Sequence, residues 1–222
     1  MQFKRPVRSE LAVRRLGCAV FGSFEENQVP FRHWQTIGGS LPSQVASDLS
    51  AMVGSNRLIE AAGSRADYDN RQFLHSNEYN TWSRSVQTFM NQLDSGAGRE
   101  EARNRFGVDL RGSEIRAELI GDVDGFFQNP HTDTADKRIT WITYLGSVEE
   151  NGEVGTDLYD DNLNPIKTVP WGFNNGLIFV PSSKTWHGFP KGRSIQGVRK
   201  AFIVNFVEDW DDEVELFRAD GA

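Results

Sequence analysis

A chain of 222 residues that is 38% hydrophobic, 25% charged and 11% aromatic is composed like an ordinary soluble domain, able to bury about 70% of its unfolded surface. Its net charge of −7 argues against nucleic acid as the main partner, because phosphate binding needs a concentrated basic surface. The single cysteine, Cys18, excludes an intrachain disulfide and a thiolate-rich metal site.

The chain opens on Lys4, Arg5, Arg8, Arg14 and Arg15, which read as a solvated arm. The apolar stretch from Gly17 to Phe21 is too short for a signal core, and no run approaches the roughly 20 apolar residues that span a bilayer. These features predict a cytoplasmic protein with no membrane partner. Ser40-Leu41-Pro42-Ser43 reads as a helix start, with Val45, Leu49, Met52 and Val53 at helical spacing. A second helix is predicted from Tyr79 to Leu93, with Trp82, Val86, Phe89, Met90 and Leu93 on one face, and a short third over Glu100–Arg105. About 1–112 therefore read as helical support with short extended pieces, in which His33 and His75 are ordinary hydrogen-bonded histidines.

From Ser113 the texture changes. Short apolar or alternating segments follow one another between Gly, Asn, Asp and Pro: Ile115–Ile120, Ile139–Leu145, Thr156–Tyr159, Pro165–Val169, Leu177–Val180 and Arg199–Val207. The pattern predicts a mainly β protein with flanking helices, a double-stranded β-helix (jelly roll, cupin-like) buttressed by the N-terminal helices. One domain over 1–222 is expected, with its core at about 113–207 and an acidic tail from 208 to 222.

Two of the four histidines stand where a metal site needs them. Asn129-Pro130-His131-Thr132-Asp133 places His131 and Asp133 two apart, and in extended chain such residues point to the same side. His187 follows the apolar strand Leu177–Val180 and a Pro181-Ser182-Ser183 turn. Two imidazoles and a carboxylate on one side of an ion suit non-haem Fe(II), which needs its remaining positions free. Zinc accepts the same donors, although the His-Glu-x-x-His helix common in zinc hydrolases is absent. Arg199 opens the last core strand and shares a face with Ala201, Ile203 and Asn205. An inward arginine needs an anion, either a dicarboxylic co-substrate or an internal Asp or Glu.

His131-x-Asp133, then His187, then Arg199 resembles the Fe(II)/2-oxoglutarate-dependent oxygenases, and within them the prolyl-4-hydroxylase-like branch. Three further stretches between Ile115 and Val207 agree: Ile139–Leu145, Gly155–Tyr159, where Thr156 replaces the second glycine of the family's Gly-Gly-x-Leu strand, and Asn175–Val180. The resemblance implies Fe(II) on His131, Asp133 and His187, and 2-oxoglutarate held at its far carboxylate by Arg199 and Tyr144. With O₂, the co-substrate is split to succinate and CO₂ while a substrate C–H bond is oxidised. Halogenases of the group resemble the same pattern with the carboxylate replaced by Gly or Ala, so Asp133 implies hydroxylation or a related oxidation.

Arg116, Phe127, Gln128 and Trp186 lie close enough to these segments to form a substrate wall, with core packing or surface pairing as the plainer alternative. The absence of an obvious peptide-binding extension favours a small polar metabolite, sugar-like or amino-acid-like. The alternatives are a residue in a peptide or protein, a non-catalytic cupin-like binding module, or a zinc hydrolase.

Overall fold

The computed structural model describes residues 19–52, 59–60, 71–75, 81–211 and 216–217, with side chains described outside 59–60 and 71–75. The basic N-terminal arm and Cys18 fall outside these residues. In chain order the elements are β1 (Glu25–Asn27), β2 (His33–Thr36), α1 (Ser43–Met52), β3 (Ile59–Glu60), β4 (Arg71–His75), α2 (Arg84–Asp94), α3 (Gly96–Phe106), β5 (Glu114–Asp122), β6 (Gln128–His131), β7 (Lys137–Tyr144), α4 (Val148–Asn151), β8 (Asp157–Tyr159), β9 (Pro165–Thr168), β10 (Gly176–Phe179), β11 (His187–Phe189) and β12 (Arg199–Val207).

The strands form a larger sheet in the order β1-β2-β10-β7-β12-β5-β4-β3 and a smaller one in the order β6-β11-β8-β9. This is the expected jelly roll. Every predicted strand segment is present, and each β7 and β12 side chain takes the face its alternation assigns. Ile139, Trp141, Phe202, Val204 and Phe206 join the core under the helices, while Ile142, Tyr144 and Ala201 join the core around the sheet interior. Trp141 is the hub of the first, with Phe21 at 5.1 Å and Phe89 at 5.8 Å between ring centroids.

The helices end where local chemistry stops them. Ser83 caps α2 by accepting from Val86 N, so the helix starts at Arg84, not Tyr79; residues 76–80 are outside the described set. Ser95 caps α3 at its start, and Gly107, with φ of 76°, closes it in a left-handed conformation that side chains resist. Val86, Phe89, Met90 and Leu93 are all buried, the face predicted for α2.

The short extended pieces expected within the helical support are β1 to β4, which extend the larger sheet at both edges. These strands have two to five residues, too short for periodicity to reveal, and cross-strand pairing rather than intrinsic pattern creates them. No helix among the described residues is long and apolar enough to cross a membrane.

Candidate metal and co-substrate site

β6 and β11 carry the two histidines. They pair antiparallel with His187 opposite His131, which sets the imidazoles side by side with ring centroids 4.3 Å apart. Asp133 lies two residues past the end of β6. One ligand atom from each of His131, Asp133 and His187 lies within 4.8 Å of the others. The turn after β10 and the β11–β6 register bring His187 to the pair, two long-range events that sequence spacing does not display.

Each side chain is aimed by a second contact. His187 Nδ1 hydrogen-bonds Thr185 O at 2.9 Å, and His131 Nδ1 hydrogen-bonds Asn129 O at 3.0 Å, so both rings keep Nε2 for an ion. Asp133 accepts from Lys137 Nζ and from Thr140 Oγ1, each at 2.6 Å. Burial lowers the pKa of His187, and burial with the nearby His187 brings that of His131 down to about 4. Burial pushes the Asp133 carboxyl up, but Lys137 and His187, with the hydrogen bonds from Lys137 and Thr140, outweigh it and hold the group below its usual range. Neutral imidazoles and a charged carboxylate are the forms that ligate divalent iron, so the donor set fits the ion. Gln128 Nε2 sits 3.1 Å from His131 Nε2 and donates to it, so an arriving ion displaces that contact.

Arg199 is where the two sequence alternatives meet. It faces the interior as expected and is 4% exposed. Its Nη1 donates to Asp122 Oδ2 at 2.6 Å and its Nε to Val154 O at 2.7 Å. The internal-acid reading of this arginine is thus realised, and Asp122 is the acid. Register explains the pair: Arg199 and Asp122 are direct partners on β12 and β5. Tyr144, Trp171 and Phe189 surround the guanidinium at 4.9–5.8 Å. Its Nη2 remains to receive a further carboxylate oxygen. Tyr144 is fully buried and donates to Thr156 Oγ1 at 2.8 Å while accepting from Thr156 N at 3.1 Å. The threonine that departs from the Gly-Gly pattern therefore occupies the tyrosine hydroxyl, which must turn to meet a ligand. With that turn, Arg199 and Tyr144 fit one end of a diacid.

The remaining candidates separate. Arg116 points to the interior and is forked onto Glu118 at 2.7 and 2.5 Å, with side chains 12% and 8% exposed, so the surface-pair alternative does not hold. Phe127 is half-buried beneath Lys191 Nζ at 5.4 Å from its ring. Trp186 is half-buried just before β11, and its backbone carbonyl accepts from Tyr159 N at 3.0 Å. Sequence reasoning missed Asp122 and Lys137, and marked Thr156 only as a departure from the Gly-Gly pattern; the available signal for Asp122 was an acidic residue closing β5 directly after Leu119-Ile120-Gly121. A separate cavity of about 690 Å³, lined by Phe31, Trp34, Tyr159 and Thr185 among others, holds no triad residue.

No protein-family model and no curated protein sequence matches the chain. Solved structures do. A prolyl hydroxylase from Trichoplax adhaerens, in complex with an oxygen-degradation-domain peptide of hypoxia inducible factor, superposes with a TM-score of 0.60 at 13% identity, covering 80% of this chain and 84% of that one. A Pseudomonas putida prolyl-4-hydroxylase gives 0.58 at 15% identity, over 80% and 93% of the two chains. HygX from Streptomyces hygroscopicus, with nickel, 2-oxoglutarate and hygromycin B bound, gives 0.52 at 10% identity, over 80% and 83%. The chain has the fold of these oxygenases.

Proposed function

We propose that this chain is an Fe(II)- and 2-oxoglutarate-dependent dioxygenase that oxidises a C–H bond of a small polar molecule. The observation that carries the reading is the meeting of His131, Asp133 and His187, brought from separate strands with their donor atoms within 4.8 Å of one another. His131, Asp133 and His187 would hold the iron, and Arg199 and Tyr144 the far carboxylate of 2-oxoglutarate. When bound, the iron and co-substrate supply the oxidising power, using O₂ and releasing succinate and CO₂.

The chain's own residues then do the positioning. Thr140 fixes the Asp133 carboxylate, and Lys137 neutralises it until a metal arrives. The backbone carbonyls of Asn129 and Thr185 fix the imidazole rings. Phe179, packed at 4.8 Å from His187, with Phe189 and Trp171, forms an apolar wall that keeps water from the inner side.

Aerobic incubation with Fe(II), 2-oxoglutarate and ascorbate should produce succinate, and His131→Ala, Asp133→Ala and His187→Ala should each abolish it. Wild-type succinate yields from any of the three would remove that residue from the site. A peptide or protein substrate is the second reading, favoured by the prolyl hydroxylases among the structures of like fold. Stimulation of succinate release by proline-containing peptides alone would select it. A cupin-like binding protein would release no succinate under any condition.

A further inference from the structure

Beside the triad, the interior face of the larger sheet carries a polar row that the iron and co-substrate do not use. Thr140 on β7 is opposite Asn205 on β12, and Asn205 is opposite Arg116 on β5. In the adjacent row Ile142, Ile203 and Glu118 are opposite one another. Side chains of directly paired residues project to the same face, so Asn205, Arg116 and Glu118 share the side on which Thr140 touches Asp133.

Asn205 is fully buried. Thr140 Oγ1 lies 2.6 Å from Asp133 Oδ2 and 3.0 Å from Asn205 Oδ1, with one hydroxyl proton for two acceptors. The charged carboxylate takes it. The Asn205 nitrogen is buried with no partner, so whichever way the amide is turned one of its ends is unsatisfied. Trp210 lies over the Arg116 guanidinium at 4.8 Å, and its indole N–H is likewise buried without a partner. A buried unpartnered polar group is costly, and its presence beside a reaction centre marks a place where a ligand completes the bonding. The Arg116–Glu118 pair adds a fixed donor fork and a fixed carboxylate; buried pairs of this kind contribute little net stability.

We infer that Asn205, Arg116, Glu118 and Trp210 form the substrate subsite, and that it takes a small polyhydroxylated molecule, of the sugar, cyclitol or amino-sugar class. This inference rests on the oxygenase reading and specifies its substrate. Hydroxyl groups both donate and accept, which matches an amide, an indole N–H, a guanidinium and a carboxylate displayed within one patch. A prolyl ring would instead bring apolar surface onto the Asn205 amide and the Trp210 indole N–H and leave both unsatisfied.

The test uses the full chain loaded with Fe(II) and 2-oxoglutarate. Succinate release is measured with a set of monosaccharides, cyclitols and aminoglycosides, and in parallel with proline-containing peptides and free amino acids. At least one polyhydroxylated compound should stimulate release tenfold or more. Asn205→Leu, and the double variant Arg116→Met with Glu118→Leu, should raise the KM for that compound at least tenfold. The double variant removes both charges of the pair together, and its thermal melt, read in parallel, separates loss of folding from loss of binding. Arg111→Ala, on an exposed Arg111–Asp109 pair, is the control for unaltered KM. Stimulation by peptides or amino acids only, stimulation by nothing in the set, or wild-type KM values in both site variants overturns the subsite. Absence of any succinate from the wild type, with or without additions, overturns the oxygenase reading itself.

Discussion

Lys137 and Asp133 pose a choice that an ion resolves. The ammonium is 2.6 Å from Asp133 Oδ1 and only 16% exposed, so it competes directly with a divalent cation for the same oxygen. Lys137→Ala leaves Thr140 to orient the carboxylate and removes a like charge. We expect several-fold tighter binding of Mn(II), read by calorimetry; weaker binding would show that Lys137 chiefly orients Asp133. Arg199 and Asp122 pose a different problem, because the pair is 5% and 0% exposed. Removing the guanidinium takes a buried charge partner from Asp122, and Arg199→Met should cost about 3–5 kcal/mol in urea unfolding. Adding Asp122→Asn to that variant should restore part of the loss. A weakened affinity for 2-oxoglutarate in Arg199→Met is therefore interpretable only beside the double variant, in which stability recovers and the affinity stays weak.

Strands meet too closely in places for any side chain. Gly155, just before β8, approaches the β9 segment so tightly that an added Cβ would stand 1.8 Å from Val169 O. That oxygen belongs to the backbone and cannot swing aside. Gly155→Ala should shift the β8–β9 pairing that seats Thr156 behind Tyr144, lowering the urea midpoint by an amount equivalent to about 1–3 kcal/mol. An unchanged midpoint would mean that β9 moves freely. The helical side is held by polar pins as well as apolar packing. Trp141 Nε1 donates to Ser40 Oγ at 2.8 Å, so Ser40→Ala should orphan a buried indole N–H at a cost of about 1–3 kcal/mol, measured in the same way.

Across the whole molecule, the triad draws on the His131–His187 end of the β6–β11 pairing and on the larger sheet through Thr140. An ion bound there ties β6 and the segment after it to β11, in the folded state only. Mn(II) at a hundred times its dissociation constant should therefore stabilise the protein by about 2.7 kcal/mol, seen as a rise in melting temperature. Asp133→Ala should remove that rise. A rise that survives in the variant would locate the ion elsewhere.

The sequence alone determined the jelly-roll strands, the faces of β7 and β12, the amphipathic face of α2 and the pairing of His131 with Asp133; the approach of His187 to that pair was decided by the fold. The former are local: alternation, helical spacing and the His-x-Asp pair are visible within a few residues, and period-2 geometry converts them directly into direction. The short strands β1 to β4, the Asp122 partner of Arg199, the grip of Lys137 and Thr140 on Asp133 and the row through Asn205 and Arg116 were decided by tertiary structure. The Asp122 partner and the row through Asn205 and Arg116 depend on cross-strand register between distant segments, and the grip on Asp133 on how the chain turns from β6 into β7. Register is set by burying one whole face of each strand at once, an energy shared across the sheet and written in no single stretch of the chain.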